Sequence, residues 1–223
     1  MNTPVSTISR TRESTLATNR VLRNTYALLA MTLAFSALTA GVSMALNLPH
    51  PGLIITLVGY FGLLFAITKF RDRDFSVLLV FALTGFMGYT LGPILNAYLS
   101  IPNGGQVVAM ALGTTAVAFL GLSGYALKSQ RDFSFMGSFL MVGILAGFCA
   151  GLGAIFFNMP ALSLAVSGLF VLLMGGLILW ETSNIIRGGE TNYVMATVTL
   201  YVAIFNLFVS LLQLLAAFAG EER

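Results

Sequence analysis

Charge is what this chain has least of. Only 9% of its 223 residues are Asp, Glu, Lys or Arg, against roughly a quarter in an ordinary soluble domain. With 57% hydrophobic residues, a soluble fold of this size could not bury the apolar surface it would carry. The single cysteine, Cys149, excludes an intramolecular disulfide, and the single histidine, His50, stands between two prolines as a turn residue rather than a ligand. There is no HExxH, no Cys/His cluster, no GxxxxGK phosphate loop and no Gly-x-Ser-x-Gly elbow. An intramembrane protease would need paired Asp, Ser/His or metal ligands within its spans, and no Asp falls in any apolar stretch. Catalysis is therefore not expected, and no cofactor or metal is indicated.

What the chain does have is long neutral runs. No charged side chain occurs from Asn24 to Thr68, from Phe75 to Leu127, from Phe133 to Trp180, or from Thr191 to Gly220. A membrane helix needs about 20 apolar residues, so each of the first three runs is long enough for two helices and the fourth for one. Breakers divide the long runs near their middles: Asn47-Leu48-Pro49-His50-Pro51-Gly52, Ile101-Pro102-Asn103-Gly104-Gly105 and Asn158-Met159-Pro160. The pattern predicts an all-α integral membrane protein with spans near 26–46, 53–68, 75–97, 107–127, 135–157, 161–180 and 193–219. The last could instead be re-entrant, but its length favours crossing.

The basic residues set the expected orientation. Arg10, Arg12, Arg20 and Arg23, then Lys69, Arg71 and Arg73, then Lys128 and Arg131, then Arg187 all fall on one side of a seven-span chain. The other side receives only Arg223. By the positive-inside rule the amino terminus is cytoplasmic and the carboxyl terminus lies outside, periplasmic in a bacterial inner membrane. The net charge of +3 then serves topology and contact with the anionic headgroups of the bilayer, not nucleic acid. The expected organisation is a polar tail from Met1 to Asn24, disordered or an interfacial helix, a seven-helix domain over 25–220, and a short carboxyl terminus at 221–223. No cleavable signal peptide is expected.

In lipid, helices associate through small residues that let backbones approach. Gly143, Gly147 and Gly151 repeat at four-residue spacing in the fifth span, Gly85, Gly88 and Gly92 mark the third, and Gly113, Gly121 and Gly124 the fourth. Packing within the chain is the main expectation, and a homo-oligomer face the other. Gly92-Pro93 marks a kink or a helix end. Intramembrane ionisable residues are functional candidates by default, and Glu181, at the inner end of the sixth span after Trp180, is the best candidate here. Turned into the bundle it would be a proton- or cation-responsive carboxylate; turned to the headgroups it would only end its helix. Asn206, Ser210 and Gln213 could face Glu181 or bond to neighbouring helices. Arg71 and Arg73 belong to a solvated loop, with a smaller expectation that one of them turns inward to hold Glu181.

Two segments resemble the Bax inhibitor-1 (TMBIM) family. One is Gly88-Tyr-Thr-Leu-Gly-Pro-Ile-Leu-Asn-Ala-Tyr98 with Val108-Ala-Met-Ala-Leu-Gly-Thr-Thr-Ala-Val-Ala-Phe119. The other is Trp180-Glu-Thr-Ser-Asn-Ile-Ile-Arg-Gly-Gly-Glu-Thr-Asn-Tyr193 with Leu200-Tyr-Val-Ala-Ile-Phe-Asn-Leu-Phe208. Together with Val21-Leu-Arg-Asn-Thr-Tyr26 they are similar to the bacterial branch of the family. The resemblance implies a seven-helix bundle around a central last helix, with a cytoplasmic amino terminus. It also implies one of two activities. Some members are pH-sensitive calcium leak channels in which two aspartates on the last two helices share a proton. Members of the bacterial branch bind the membrane-anchored protease FtsH and its HflK/HflC partners, and restrain it while being its slow substrates.

The family's sixth-helix aspartate corresponds to Glu181. Its last-helix aspartate, in the pattern Leu-Tyr-x-Asp, corresponds to Ala203 of Leu200-Tyr201-Val202-Ala203. Two carboxylates share a proton because they cannot both ionise cheaply, and Ala203 removes one of them. Asn206, one turn further, offers at most a neutral partner. The resemblance thus favours the protease modulator over the calcium leak.

Overall fold

The computed structural model describes residues 5–221, with side chains from 18 to 220. It consists of α1 (Val5–Ala45), α2 (Leu53–Phe70), α3 (Ser76–Leu99), α4 (Gly104–Ser129), α5 (Met136–Phe156), α6 (Pro160–Ile186) and α7 (Tyr193–Glu221). All seven are long and apolar enough to cross a membrane, α7 included. The chain is a multi-pass membrane protein. Arg223 and residues 1–4 of the tail lie outside the described residues.

Each of the three breaker segments on the side opposite the basic loops contains an asparagine in the left-handed region: Asn47 (φ 48°), Asn103 (φ 61°) and Asn158 (φ 48°). Asparagine tolerates this region better than other residues with a Cβ, and at Asn47 and Asn158 it lets the chain leave one helix and reverse within a few residues.

Of the two expectations for the tail, disorder or an interfacial helix, the described part from Val5 is helical, and it is continuous with the first span. Helix α1 does not begin near residue 26 but runs unbroken through 41 residues from Val5. Val21 and Leu22 already pack against the core, so the bundle begins before residue 25. At 1.5 Å per residue, those 41 residues make about 60 Å of helix, twice the roughly 30 Å hydrocarbon core of a bilayer.

Helix α7 sits at the centre and packs on α1, α3, α4 and α6, whereas α2 leans mainly on α3 and α5 on α6. The outer helices turn their large apolar residues outward: Ile54, Val58 and Phe65 on α2, Phe139 and Leu145 on α5. Hydrocarbon covers them. Lipid supplies little apolar driving force for helix pairing, so close packing and hydrogen bonds supply the rest.

The glycine stripes divide. On α5, a Cβ on Gly143 would stand 2.7 Å from Leu173 Cδ2, one on Gly147 2.8 Å from Phe170 Cε2, and one on Gly151 3.6 Å from Val166 Cγ1. That stripe is a seat for α6 within the chain. On α4, added Cβ atoms at Gly113, Gly121 and Gly124 would meet nothing within 4 Å. The expectation of internal packing fails there, because these glycines face outward.

Helix α3 is neither ended nor broken at Gly92-Pro93; it continues to Leu99. Proline leaves the carbonyl four residues earlier without its donor, and that carbonyl belongs to Tyr89. Ser43 Oγ of α1 donates to Tyr89 O at 2.9 Å, replacing the missing bond from a neighbouring helix. Gly92 makes this approach feasible, since a Cβ there would collide with the Ser43 side chain and stand 3.0 Å from Ala40 O. Ser43→Ala is expected to destabilise the bundle by about 0.6–1.7 kcal/mol, with insertion unchanged, read as a lower thermal midpoint in detergent.

Candidate functional site

Glu181 lies in the last two turns of α6, where Glu181, Thr182 and Ser183 are all buried and Glu181 is 2% exposed. Three consecutive buried polar residues cannot all face one direction on a helix, and Thr182 and Ser183 find different neighbours. Thr182 Oγ1 lies 3.4 Å from Tyr26 OH of α1. Ser183 Oγ donates to Arg131 O at 2.9 Å in the α4–α5 loop. Thr197 Oγ1 of α7 donates to Tyr193 O of its own helix at 2.7 Å and approaches Thr25 O of α1 at 3.3 Å. Thr25 Oγ1, Ser123 Oγ and Glu181 Oε1 are buried without a hydrogen-bond partner. They come from α1, α4 and α6. A buried polar atom without a partner carries a desolvation cost of about 1–3 kcal/mol.

Polar contacts tie the loops on this side to one another. Arg187 Nη2 pairs with Asp132 Oδ2 at 2.9 Å. Asp132 Oδ1 also accepts from Ser134 N at 2.9 Å, and the Ser134 hydrogen bonds, with Arg187 beside them, hold the Asp132 carboxyl below its ordinary value. Asn192 caps α7: its Oδ1 accepts from Val194 N and Met195 N at 2.9 and 3.2 Å. Its Nδ2 donates to Arg71 O and Asp72 Oδ1 at 3.1 and 3.2 Å, tying the α2–α3 loop to the start of α7.

The other expected members of the site stand apart from it. Arg71 is exposed and faces its own neighbour, with Nε 3.6 Å from Asp72 Oδ2. Arg73 is exposed as well, and among the described residues no ion pair includes Glu181. No loop arginine holds the carboxylate. Asn206 is separated from Glu181 by helix register. Gln213 Nε2 donates to Ser163 Oγ at 2.6 Å, and Ser167 Oγ donates to Gln213 Oε1 at 2.7 Å. In antiparallel helices this pairing puts Glu181 level with about residues 195–199 of α7, leaving Asn206 roughly two turns away. Asn206 Nδ2 instead donates to Val202 O of its own helix at 2.8 Å. Ala203 is fully buried in an apolar cluster with Leu173, Met174, Ile178 and Leu207. Nothing polar fills the place of a second acid. No group of three His, Cys, Asp or Glu residues that could hold a metal occurs among the described residues.

Thr25, Ser123 and Asn192 were not distinguished by the sequence. For Asn192 a signal existed, an asparagine placed just before an apolar helical run. A threonine or serine inside a span carries no mark of which helix it will face.

Comparison with known proteins bears on the whole chain. The family model described as "Inhibitor of apoptosis-promoting Bax1" matches residues 18–220. The chain is 54% identical over 214 residues to "Modulator of FtsH protease YccA" of Escherichia coli strain K12, covering 96% of this chain and 97% of that one. It has the same identity and coverage with "Inner membrane protein YccA" of Escherichia coli O6:H1. A protein of Vibrio cholerae described as a membrane protein is 45% identical over 223 residues, the full length of both. With a match over nearly all of its length and the expected bundle around a central last helix, the chain belongs to the Bax1 inhibitor family.

Proposed function

We propose that this protein is an inner-membrane modulator of the FtsH protease, which binds the protease with its HflK/HflC partners and is itself degraded slowly. The supporting observation is the 54% identity, over 96% of the chain, to a protein named as such a modulator. The physical requirements are a segment that an ATP-driven unfoldase can grip and a body that resists extraction. The amino-terminal part of α1 supplies the first, placed in the cytoplasm by the distribution of arginine and lysine. The bundle supplies the second, because pulling on α1 must separate it from α3, α6 and α7. The test is affinity capture of the tagged full-length chain from membranes solubilised in mild detergent. FtsH, HflK and HflC are expected in the eluate. Recovery of the chain without FtsH, under conditions that keep FtsH and HflK/HflC together, would overturn the proposal.

A second function, a proton-responsive cation leak, is favoured by one observation, the burial of Glu181 with an unpartnered oxygen. Ala203 in its apolar cluster weighs against it, since a lone acid cannot divide a proton with a neighbour. In liposomes reconstituted with the protein, calcium flux is expected to be absent at both acid and neutral pH. A pH-dependent flux that disappears in Glu181→Gln would make the leak the better account.

A further inference from the structure

A cavity of about 510 Å³ lies between α1, α3, α4 and α7, within the range of about 300–1,000 Å³ common to small-molecule sites. Glu181, Thr182 and Ser183 do not line it. Its mouth is formed by Ala37 and Gly41 on α1 and by Ala116 and Leu120 on α4, all exposed. Its inner wall is Ser36, Tyr201, Ile204 and Phe205. Helices α1 and α4 form no substantial interface with each other, so the gap between them opens sideways. In a chain that spans the bilayer, that direction leads to hydrocarbon.

The lining determines what can enter. No charged side chain and no amide borders the cavity. Its hydroxyls are already engaged: Ser36 Oγ and Tyr201 OH lie 2.7 Å apart, Tyr201 OH reaches Thr84 O at 3.3 Å, and Thr115 Oγ1 donates to Ala111 O at 2.7 Å. A water held in a cavity needs two to four polar partners, and apolar cavities without them stay dry. Nothing here would anchor a headgroup, an ion or water.

The dimensions match one kind of occupant. From Leu33 to Met44, both on the wall, α1 rises about 16 Å, which is about half of the roughly 30 Å hydrocarbon core and so the depth of one leaflet. We propose that this cavity is an acyl-chain site, in which one hydrocarbon chain of a membrane phospholipid enters between α1 and α4 and lies along α1 against Tyr201 and Phe205. Occupation restores the dispersion contacts that an empty apolar space forfeits, and extends the contact between α1 and α4 beyond the Tyr26–Phe119 ring pair, whose centroids are 6.1 Å apart.

The test uses the full-length protein in nanodiscs containing a phospholipid with a diazirine in the middle of its chain. After irradiation, adducts are mapped by mass spectrometry. Adducts are expected on the inner residues Ile204 and Phe205, at a level comparable to the lipid-facing Phe139 and Leu172. Gly41→Leu fills the mouth, and its added side chain starts in open space, since a Cβ at Gly41 meets nothing within 4 Å. Ala116→Phe fills the mouth from the opposite helix. Each variant should lower the α7 adducts about tenfold and leave those on Phe139 and Leu172 unchanged. If one variant does not fold, the other decides. Wild-type protein labelled on Phe139 and Leu172 but not on α7 would overturn the proposal, as would α7 labelling that a folded filled variant does not reduce.

Discussion

Removal of residues 2–20 is expected to abolish the degradation by FtsH proposed above and to leave the bundle inserted in the membrane. This outcome follows from where packing starts. Among residues whose side chains are described, Val21 and Leu22 are the first that contact the apolar core, so truncation to Val21 spares the packed part of α1. What it removes is most of the helix in excess of a bilayer's thickness, out of 41 residues in all. An unfoldase must grip before it can extract, and the loops that remain on that side are short: Arg71–Phe75 between α2 and α3, Gln130–Phe135 between α4 and α5, and Arg187–Asn192 between α6 and α7. The measurement is a chase of the full-length and truncated chains in cells with and without active FtsH. The full-length chain should decay slowly and only with FtsH, and the truncated chain should persist in both. Equal decay of the two forms would show that the protease enters elsewhere.

Gly88→Ala is expected to damage the α1–α3 seam severely. A Cβ at Gly88 would collide with Thr39 Oγ1 and with the backbone carbonyl oxygen of Ser36, and would stand 3.0 Å from the Ser36 carbonyl carbon. A side chain can rotate away; a helix backbone cannot without moving α1. Ser36 also carries the bond to Tyr201 OH at 2.7 Å, so displacing α1 strains its contact with the central helix. Overpacking of this kind costs about 1–3 kcal/mol or more, and about 3 kcal/mol corresponds to a fall of about 6–12 °C in thermal midpoint for a chain of this size. The matched control is Gly113→Ala on α4, where an added Cβ meets nothing within 4 Å. There the midpoint should hold or rise slightly, because alanine is the better helix former. Similar losses in both variants would mean that the α1–α3 seam is not what holds these helices together.

The spans were legible because lipid imposes a coarse rule: neutral runs of sufficient length cross, and basic residues gather at their ends. The turns were legible for a related reason, since prolines, glycines and asparagines cluster where the backbone must reverse, Gly92-Pro93 inside α3 being an exception. Residue-level relations were less so. Gly147 and Gly121 look alike in sequence, yet one seats Phe170 and the other faces outward, and only the placement of neighbouring helices separates them. The proline of α3 was visible, but not that Ser43, fifty residues earlier in the chain, replaces its lost bond. Glu181 was found as the acid at the inner end of the sixth span, whereas its burial depends on the rotation of α6. Asn206 was joined to it by spacing along α7 alone, and the pairing of Gln213 with Ser163 and Ser167 separates them. A helix before residue 25 was one of two expectations, but its continuity with the first span was not legible, because that polar segment has neither a stop signal nor an apolar stripe.

Modulation of FtsH as proposed requires that the amino-terminal end of α1 and the basic loops share the cytoplasmic side with the protease. Single-cysteine labelling tests this most directly. In a Cys149→Ser background, His50→Cys reports the α1–α2 turn and Lys128→Cys the end of α4 before the α4–α5 loop. A membrane-impermeant maleimide that has passed the outer membrane should label His50→Cys in intact cells, and Lys128→Cys only once the inner membrane is opened. Labelling of Lys128→Cys in intact cells, with His50→Cys protected, would invert the chain and contradict the account.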